Sequence, residues 1–265
     1  MDKRDFIKKS AIVAATTAVV APVTAMLTKA ETEGLAESEG SVEGETSAQP
    51  VSRPDGTAPK VLLVNGSPRR DGNTACCLQE IEAQLKKHGL LTEIIHIGPK
   101  PVRMCINCGG CRKNDGAGCV FNDDLCEVIT QKMKTSDALI VGTPVYYGQP
   151  NGGILSLMQR LFYSAGHLVQ NKPAAAVAVC RRGGATATLQ TMNMMFEMMN
   201  MPVVTSQYWN IAYGAAKGEV KLDTEGMQTM RTLANNMAWL LQKIHADGAS
   251  TPQREKQHVF MNFIR

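Results

Sequence analysis

The chain has 265 residues, 44% of them hydrophobic, enough to bury a core in one large domain or two small ones. Its formal net charge is +4, with no arginine-rich arm and no interleaving of basic and aromatic residues, which argues against a nucleic-acid-binding protein. Of the 28 Lys and Arg, five precede Val51, as do eight of the 24 Asp and Glu, so the remainder carries 23 − 16 = +7, a surplus suited to phosphate-bearing ligands.

Residues 1–30 read as a signal peptide, with the basic head "MDKRDFIKKS" followed by an uncharged Ala, Thr and Val run from Ala11 to Leu27. Lys3, Arg4, Asp5, Phe6, Ile7 and Lys8 resemble the twin-arginine pattern, with lysine in place of the first arginine. Cleavage after Ala25 or Ala30 suits a peptidase that needs small residues, and export to the periplasm or another extracytoplasmic space is expected. Residues 31–58 are expected to be a disordered acidic linker, since 31–50 hold six glutamates and no basic residue.

The folded domain is expected over 59–248, and from Lys60 short aliphatic runs alternate with helical stretches. "KVLLVNG" reads as a buried strand, Thr74–His88 as a helix with Leu78, Ile81 and Leu85 on one face, and "LTEIIHI" as a second strand. A cysteine-rich loop over 105–119 follows, and then a helix with Asn122 and Asp123 as cap candidates. "ALIVGT" is the third strand, Gly153–Ser164 a helix, "AAAVAVC" the fourth strand, "TATLQTMNMMFEMMN" a helix, "MPVVTS" the fifth strand, and "DTEGMQTMRTLANNMAWLLQKIHA" the closing helix. Strands separated by helices predict an α/β fold, a parallel sheet covered on both faces. Residues 249–265 read as a polar tail ending in the apolar "VFMNFI", suited to packing on a neighbour.

Ligands of such sheets sit at the carboxyl ends of the strands. After the first strand, "NGSPRRDGNT" places Ser67, Asn73 and Thr74 with exposed N–H groups at a helix start, where the dipole favours an anion. The loop lacks both the Gly-Lys-Ser/Thr ending of a nucleoside-triphosphate site and the Gly-x-Gly-x-x-Gly of a dinucleotide fold, which leaves a mononucleotide such as FMN. After the third strand, "TPVYYGQPNGG" offers Pro144, Val145, Tyr146, Tyr147 and Gly148, flat faces and a close-approaching backbone for an isoalloxazine ring. "CRRGGAT" after the fourth strand supplies Arg181 and Gly183 as a third side.

Cys105, Cys108, Cys111 and Cys119 are separated by two, two and seven residues. By spacing alone they suit a [4Fe-4S] cluster, a zinc ion, or thiols and disulfides. Cys76, Cys77, Cys126 and Cys180 fall on helices or at a strand end and read as packing residues.

Together "NGSPRRDGNT", "DALIVGTPVYYGQPNGGI", "SQYWNIAYG" and "EGMQTMRTLANNMAWLL" resemble the flavodoxin-like NAD(P)H-dependent FMN reductases, in particular their iron-sulfur flavoprotein branch. The resemblance implies a flavodoxin-like three-layer sandwich with five parallel strands in the order 2-1-3-4-5 and FMN at the strand ends. It implies that Ser67, Arg69, Asn73 and Thr74 hold the FMN phosphate, that Pro144 to Gly148 line the ring, and that the four cysteines of the loop bind a [4Fe-4S] cluster. It further implies a homodimer or higher homo-oligomer in which Trp209 and Tyr213 reach a flavin, with NAD(P)H as a transient donor. The function expected is an FMN-dependent oxidoreductase passing electrons to a small acceptor such as a quinone or flavin. Outside the cytoplasm a membrane quinol or a redox partner protein would supply the electrons. A non-enzymatic electron carrier and a zinc-stapled module without flavin are the alternative readings.

Overall fold

The computed structural model describes residues 50–114, 117–246, 250 and 252. The expected signal peptide, the linker up to residue 49 and nearly all of the tail lie outside the described residues. Residues 50–58, assigned from sequence to the linker, belong to the body instead. Val51 is buried and donates its N–H to the His88 carbonyl, while Arg53 makes a two-pronged ion pair with Asp137 at 3.2 and 2.6 Å. The run of glutamates ends at Glu45, and beyond it Val51 and Arg53 have partners in the folded body.

The elements are β1 (Lys60–Asn65), α1 (Asn73–Lys87), β2 (Leu91–His96), a single turn α2 (Gly110–Lys113), α3 (Cys126–Lys134), β3 (Ala138–Tyr146), β4 (Gln149–Pro150), α4 (Gly152–Ala165), β5 (Ala174–Cys180), α5 (Ala185–Met198), β6 (Ile211–Tyr213) and α6 (Thr224–Ile244), with two short 3-10 turns. The sheet order is β2-β1-β3-β5-β6, every neighbour parallel, and β4 folds back antiparallel on the end of β3. Leaving out that hairpin strand, this is the expected 2-1-3-4-5 arrangement.

Alternation along each strand sends side chains to opposite faces. Leu62, Val64, Leu139 and Val141 pack under α3, α4 and α5, while Val61, Leu63, Ala138 and Ile140 pack under α1 and α6. β5 is alanine-rich and wholly buried, small side chains that let helices on both faces lie close to the centre of the sheet.

The fifth strand differs from expectation. "MPVVTS" makes only an isolated parallel bridge, Val203 opposite Ala174, and the ladder resumes at Ile211–Tyr213 opposite Ala178–Cys180. Eight residues separate Val203 from Ile211 where β5 spends four between Ala174 and Ala178. The surplus bulges from the edge and carries Tyr208 and Trp209, tilted 56° to each other at 5.1 Å between centroids, into solvent. Buried Asn210 closes the bulge by donating to the Val204 carbonyl at 3.3 Å. Pattern reading favoured the β-branched pair Val203–Val204 because a three-residue edge strand carries almost no periodicity.

Candidate functional site

The first loop at the carboxyl rim is held by its own side chains. Buried Asn65, the last residue of β1, accepts the Ser67 N–H at 3.0 Å, and the Ser67 hydroxyl accepts the Arg69 N–H at 3.1 Å. Gly66 donates to the Gly142 carbonyl at 2.7 Å, and a Cβ there would fall 2.8 Å from Cβ of Ile154, so no side chain fits. Helix α1 opens with Gly72 at its N-cap and no side-chain cap. The first N–H groups of a helix have no intrahelical acceptor, and here they open onto a cleft.

The second loop is a hairpin. Val145 pairs with Pro150 and Tyr146 with Gln149, leaving Tyr147 and Gly148 as a two-residue turn at φ 51° and 76°. Two left-handed residues in succession match the twist of the flanking strands. The third loop follows β5. Gly184, at φ 87°, N-caps α5, and a Cβ on it would lie 2.6 Å from Cα of Gly148, so the hairpin and this turn touch backbone to backbone.

Between these loops lies a cleft of about 250 Å³. It brings together Ser67, Arg69, Asn73, Thr74, Pro144, Val145, Tyr146 and Arg181. Three expected residues do not line it. Tyr147 is 107% exposed at the hairpin tip, Gly148 packs on Gly184, and Gly183 has no neighbour near its Cβ position. Asn73 lines the cleft, but its side chain donates to the Ala216 carbonyl at 2.9 Å and accepts the Val220 N–H at 3.4 Å, so what it offers a ligand is its backbone.

Those bonds recruit a wall missing from the sequence reading, Gly214, Ala215 and Lys217 after β6. Lys217 pairs with Asp71 across the mouth, and Glu219 accepts the N–H groups of Ala215 and Ala216 at 2.6 and 2.7 Å, bonds that hold its carboxyl below the usual range. The signal was "YGAAKG"; it was passed over because the fifth strand was set some eight residues too early. Tyr213 ends β6 beside Cys180 instead of following the strand, and Trp209 sits on the edge bulge.

The cysteine loop forms a second cavity. Cys105, Cys108, Cys111 and Cys119 all line it, with Met104, Ile106, Val120 and Phe121 as an apolar surround. Asn107 and Gly109, at φ 51° and 69°, turn the chain around it. Among the described residues no three His, Cys, Asp or Glu stand close enough to grip a single metal ion. The four thiols that share this cavity are the donor type taken both by zinc and by iron-sulfur clusters. Buried Cys126 is nearby, its thiol pushed up to about 12 by burial, and it does not line the cavity. Cys77 and Cys180 are buried as well, and Cys76 is half-buried.

The floor of this cavity is α4. Its Tyr163 hydroxyl accepts from Arg112 at 3.0 Å and donates to Asn107 at 3.1 Å, while Arg160 reaches beneath the loop. The loop's neck is closed by Arg103, which pairs with Asp123 and lies 4.6 Å from the Phe121 ring centroid.

Residues 59–216 match the model of the family described as NADPH-dependent FMN reductase. The chain belongs to the NADPH-dependent FMN reductase family. Within it, the chain is 35% identical over 193 residues to an iron-sulfur flavoprotein of Methanocaldococcus jannaschii, covering 70% of this chain and 98% of that one. It is 32% identical over 194 residues to an iron-sulfur flavoprotein of Methanosarcina thermophila, covering 70% and 96%. Among solved structures, RosB with bound 8-demethyl-8-formylriboflavin-5'-phosphate superposes with a TM-score of 0.53 at 16% identity, covering 78% of this chain and 96% of that one. A WrbA-like flavodoxin from Agrobacterium tumefaciens gives 0.50 at 14%, covering 72% and 100%. The fold of this FMN reductase family member is flavodoxin-like.

Proposed function

We propose that the cleft holds FMN with its phosphate on the first turn of α1 and its ring between the 143–150 hairpin and the 180–184 turn. The observation that carries this reading is the uncapped start of α1, whose free N–H groups, with the Ser67 and Thr74 hydroxyls and Arg69, open into one cleft with Tyr146 and Arg181. An anion there meets both the helix dipole and unpaired donors. Bound flavin supplies electron and hydride transfer. The chain's own residues then bind and orient: Ser67 and Thr74 donate, Arg69 and Lys217 balance charge, and Pro144 and Val145 shape the wall against which the ring lies.

The cysteine loop, in this reading, carries a [4Fe-4S] cluster on Cys105, Cys108, Cys111 and Cys119. Four thiols around one cavity, and relatives named iron-sulfur flavoproteins, support it. The protein is then an FMN-dependent oxidoreductase that passes electrons to a small acceptor such as a quinone or flavin. The family description points to NADPH as donor. The twin-arginine-like N-terminus points to export, where a membrane quinol or redox protein takes that role and where thiolates already committed to iron are protected from oxidation. The exposed Tyr208, Trp209 and Tyr213 beside the cleft suit a homodimer interface.

Anaerobic turnover assays test this. Rapid quinone reduction with a reduced carrier protein as donor is expected, and slow turnover with NADPH. Rapid NADPH turnover with no response to carriers would overturn the donor assignment, and exchange with carriers without reduction of any small molecule would make the protein an electron carrier.

A further inference from the structure

Among the described residues Arg160 is the largest fully buried side chain, and a buried guanidinium is costly unless every charge and donor is answered. Its Nη1 pairs with Asp124 and donates to the Arg103 carbonyl at 3.2 Å, and its Nη2 donates to the Phe121 carbonyl at 3.0 Å. It therefore ties the chain just before Cys105 to the chain just after Cys119. Its Nε has no partner among the described residues. Arg160 lines the cavity of the four thiols, whereas Asp124 faces a different hollow on the far side, beside Lys100 and Leu157. The pair thus turns its positive end toward the sulfurs.

We infer that Arg160 is a positioning residue that raises the reduction potential of a cluster on the cysteine loop, by holding a buried positive charge against the cavity that the four thiols line. This rests on the cluster reading above. A cluster with four thiolates becomes more negative when it gains an electron, no bond being made or broken. A fixed cation buried beneath the loop favours that reduced state. The two carbonyl bonds fix the guanidinium at the loop's neck, so the charge does not move away as the electron arrives.

The test is a redox titration with dithionite of the anaerobically reconstituted full chain, following the cluster by electron paramagnetic resonance, with iron and FMN quantified alongside. Arg160→Gln is expected to keep FMN and disfavour one-electron reduction about tenfold, a fall of about 59 mV. Arg160→Lys, which keeps charge but loses the fork, should fall less. Asp124→Asn, which uncovers the guanidinium's charge, should move the potential upward. An unchanged potential in an iron-replete Arg160→Gln protein overturns the inference. If that variant takes up no iron, Asp124→Asn decides: a rise supports the role and an unchanged or lower potential refutes it. A wild-type chain that holds FMN but no iron removes the cluster reading and this inference together, while the flavin assignment stands.

Discussion

Single residues decide whether the rim loops can approach one another. Gly184 has both a left-handed backbone and the Gly148 Cα where its Cβ would be, so Gly184→Ala must displace the hairpin. A loss of about 2 kcal/mol in urea unfolding is expected, with weakened FMN binding in the same protein. Ser67 is different. Its oxygen accepts the Arg69 N–H, which leaves its proton free for a phosphate oxygen. Ser67→Ala should therefore weaken FMN binding about tenfold, roughly one hydrogen bond to a charged group, and leave riboflavin binding unchanged. Equal losses for both ligands would place the phosphate elsewhere. Ser67, Thr74 and the hairpin's Pro144 to Tyr146 were legible in the sequence because small, hydroxylic and aromatic residues directly follow aliphatic runs. The roles of Tyr147 and Gly148 were not, because a two-residue turn points its residues away from the strand they follow, a property of pairing register that no single stretch displays.

At the level of elements, the helices longer than one turn were read to within a few residues, since each has a continuous apolar face, whereas the single turn α2 buries nothing and was read as loop. The edge strand and the wall after it escaped because a three-residue strand with two buried residues gives no period. Edge β2 shows what the body's charge does. Its Glu93 accepts from Lys132 at 2.8 Å and Lys60 at 2.5 Å, and these bonds lower its pKa. Its folded value lies below its unfolded one, so the stabilisation is full above the ordinary carboxylate range and is lost as pH falls through the lowered value. The pair is partly exposed, and Glu93→Gln should cost no more than about 1 kcal/mol at neutral pH. That difference from wild type should vanish in acid; a difference that persists there would show a packing role instead.

Across the whole molecule, α4 runs from the hairpin beside the cleft to the cysteine cavity, and it lines only the latter. It starts at the foot of the 143–150 hairpin, where Asn151 caps it by accepting the Gly153 N–H at 2.9 Å, and further along its Arg160 and Tyr163 floor the cysteine loop. The fold and the cleft were readable from the order of strands and loops. The link between them was not, because Arg160 sits in an apolar helix where sequence shows only a lone cation, and its partners lie 36 to 57 residues away. No described helix is long and apolar enough to cross a membrane.

The account stands on a phosphate-anchored flavin at the start of α1. Its most direct measurement is calorimetric titration of anaerobically prepared, flavin-stripped protein with FMN and, separately, with riboflavin. The account predicts stoichiometric FMN binding at least about a hundredfold tighter than riboflavin, the worth of two charge-assisted hydrogen bonds. Equal affinity for the two, or no binding of FMN by folded protein, would contradict it.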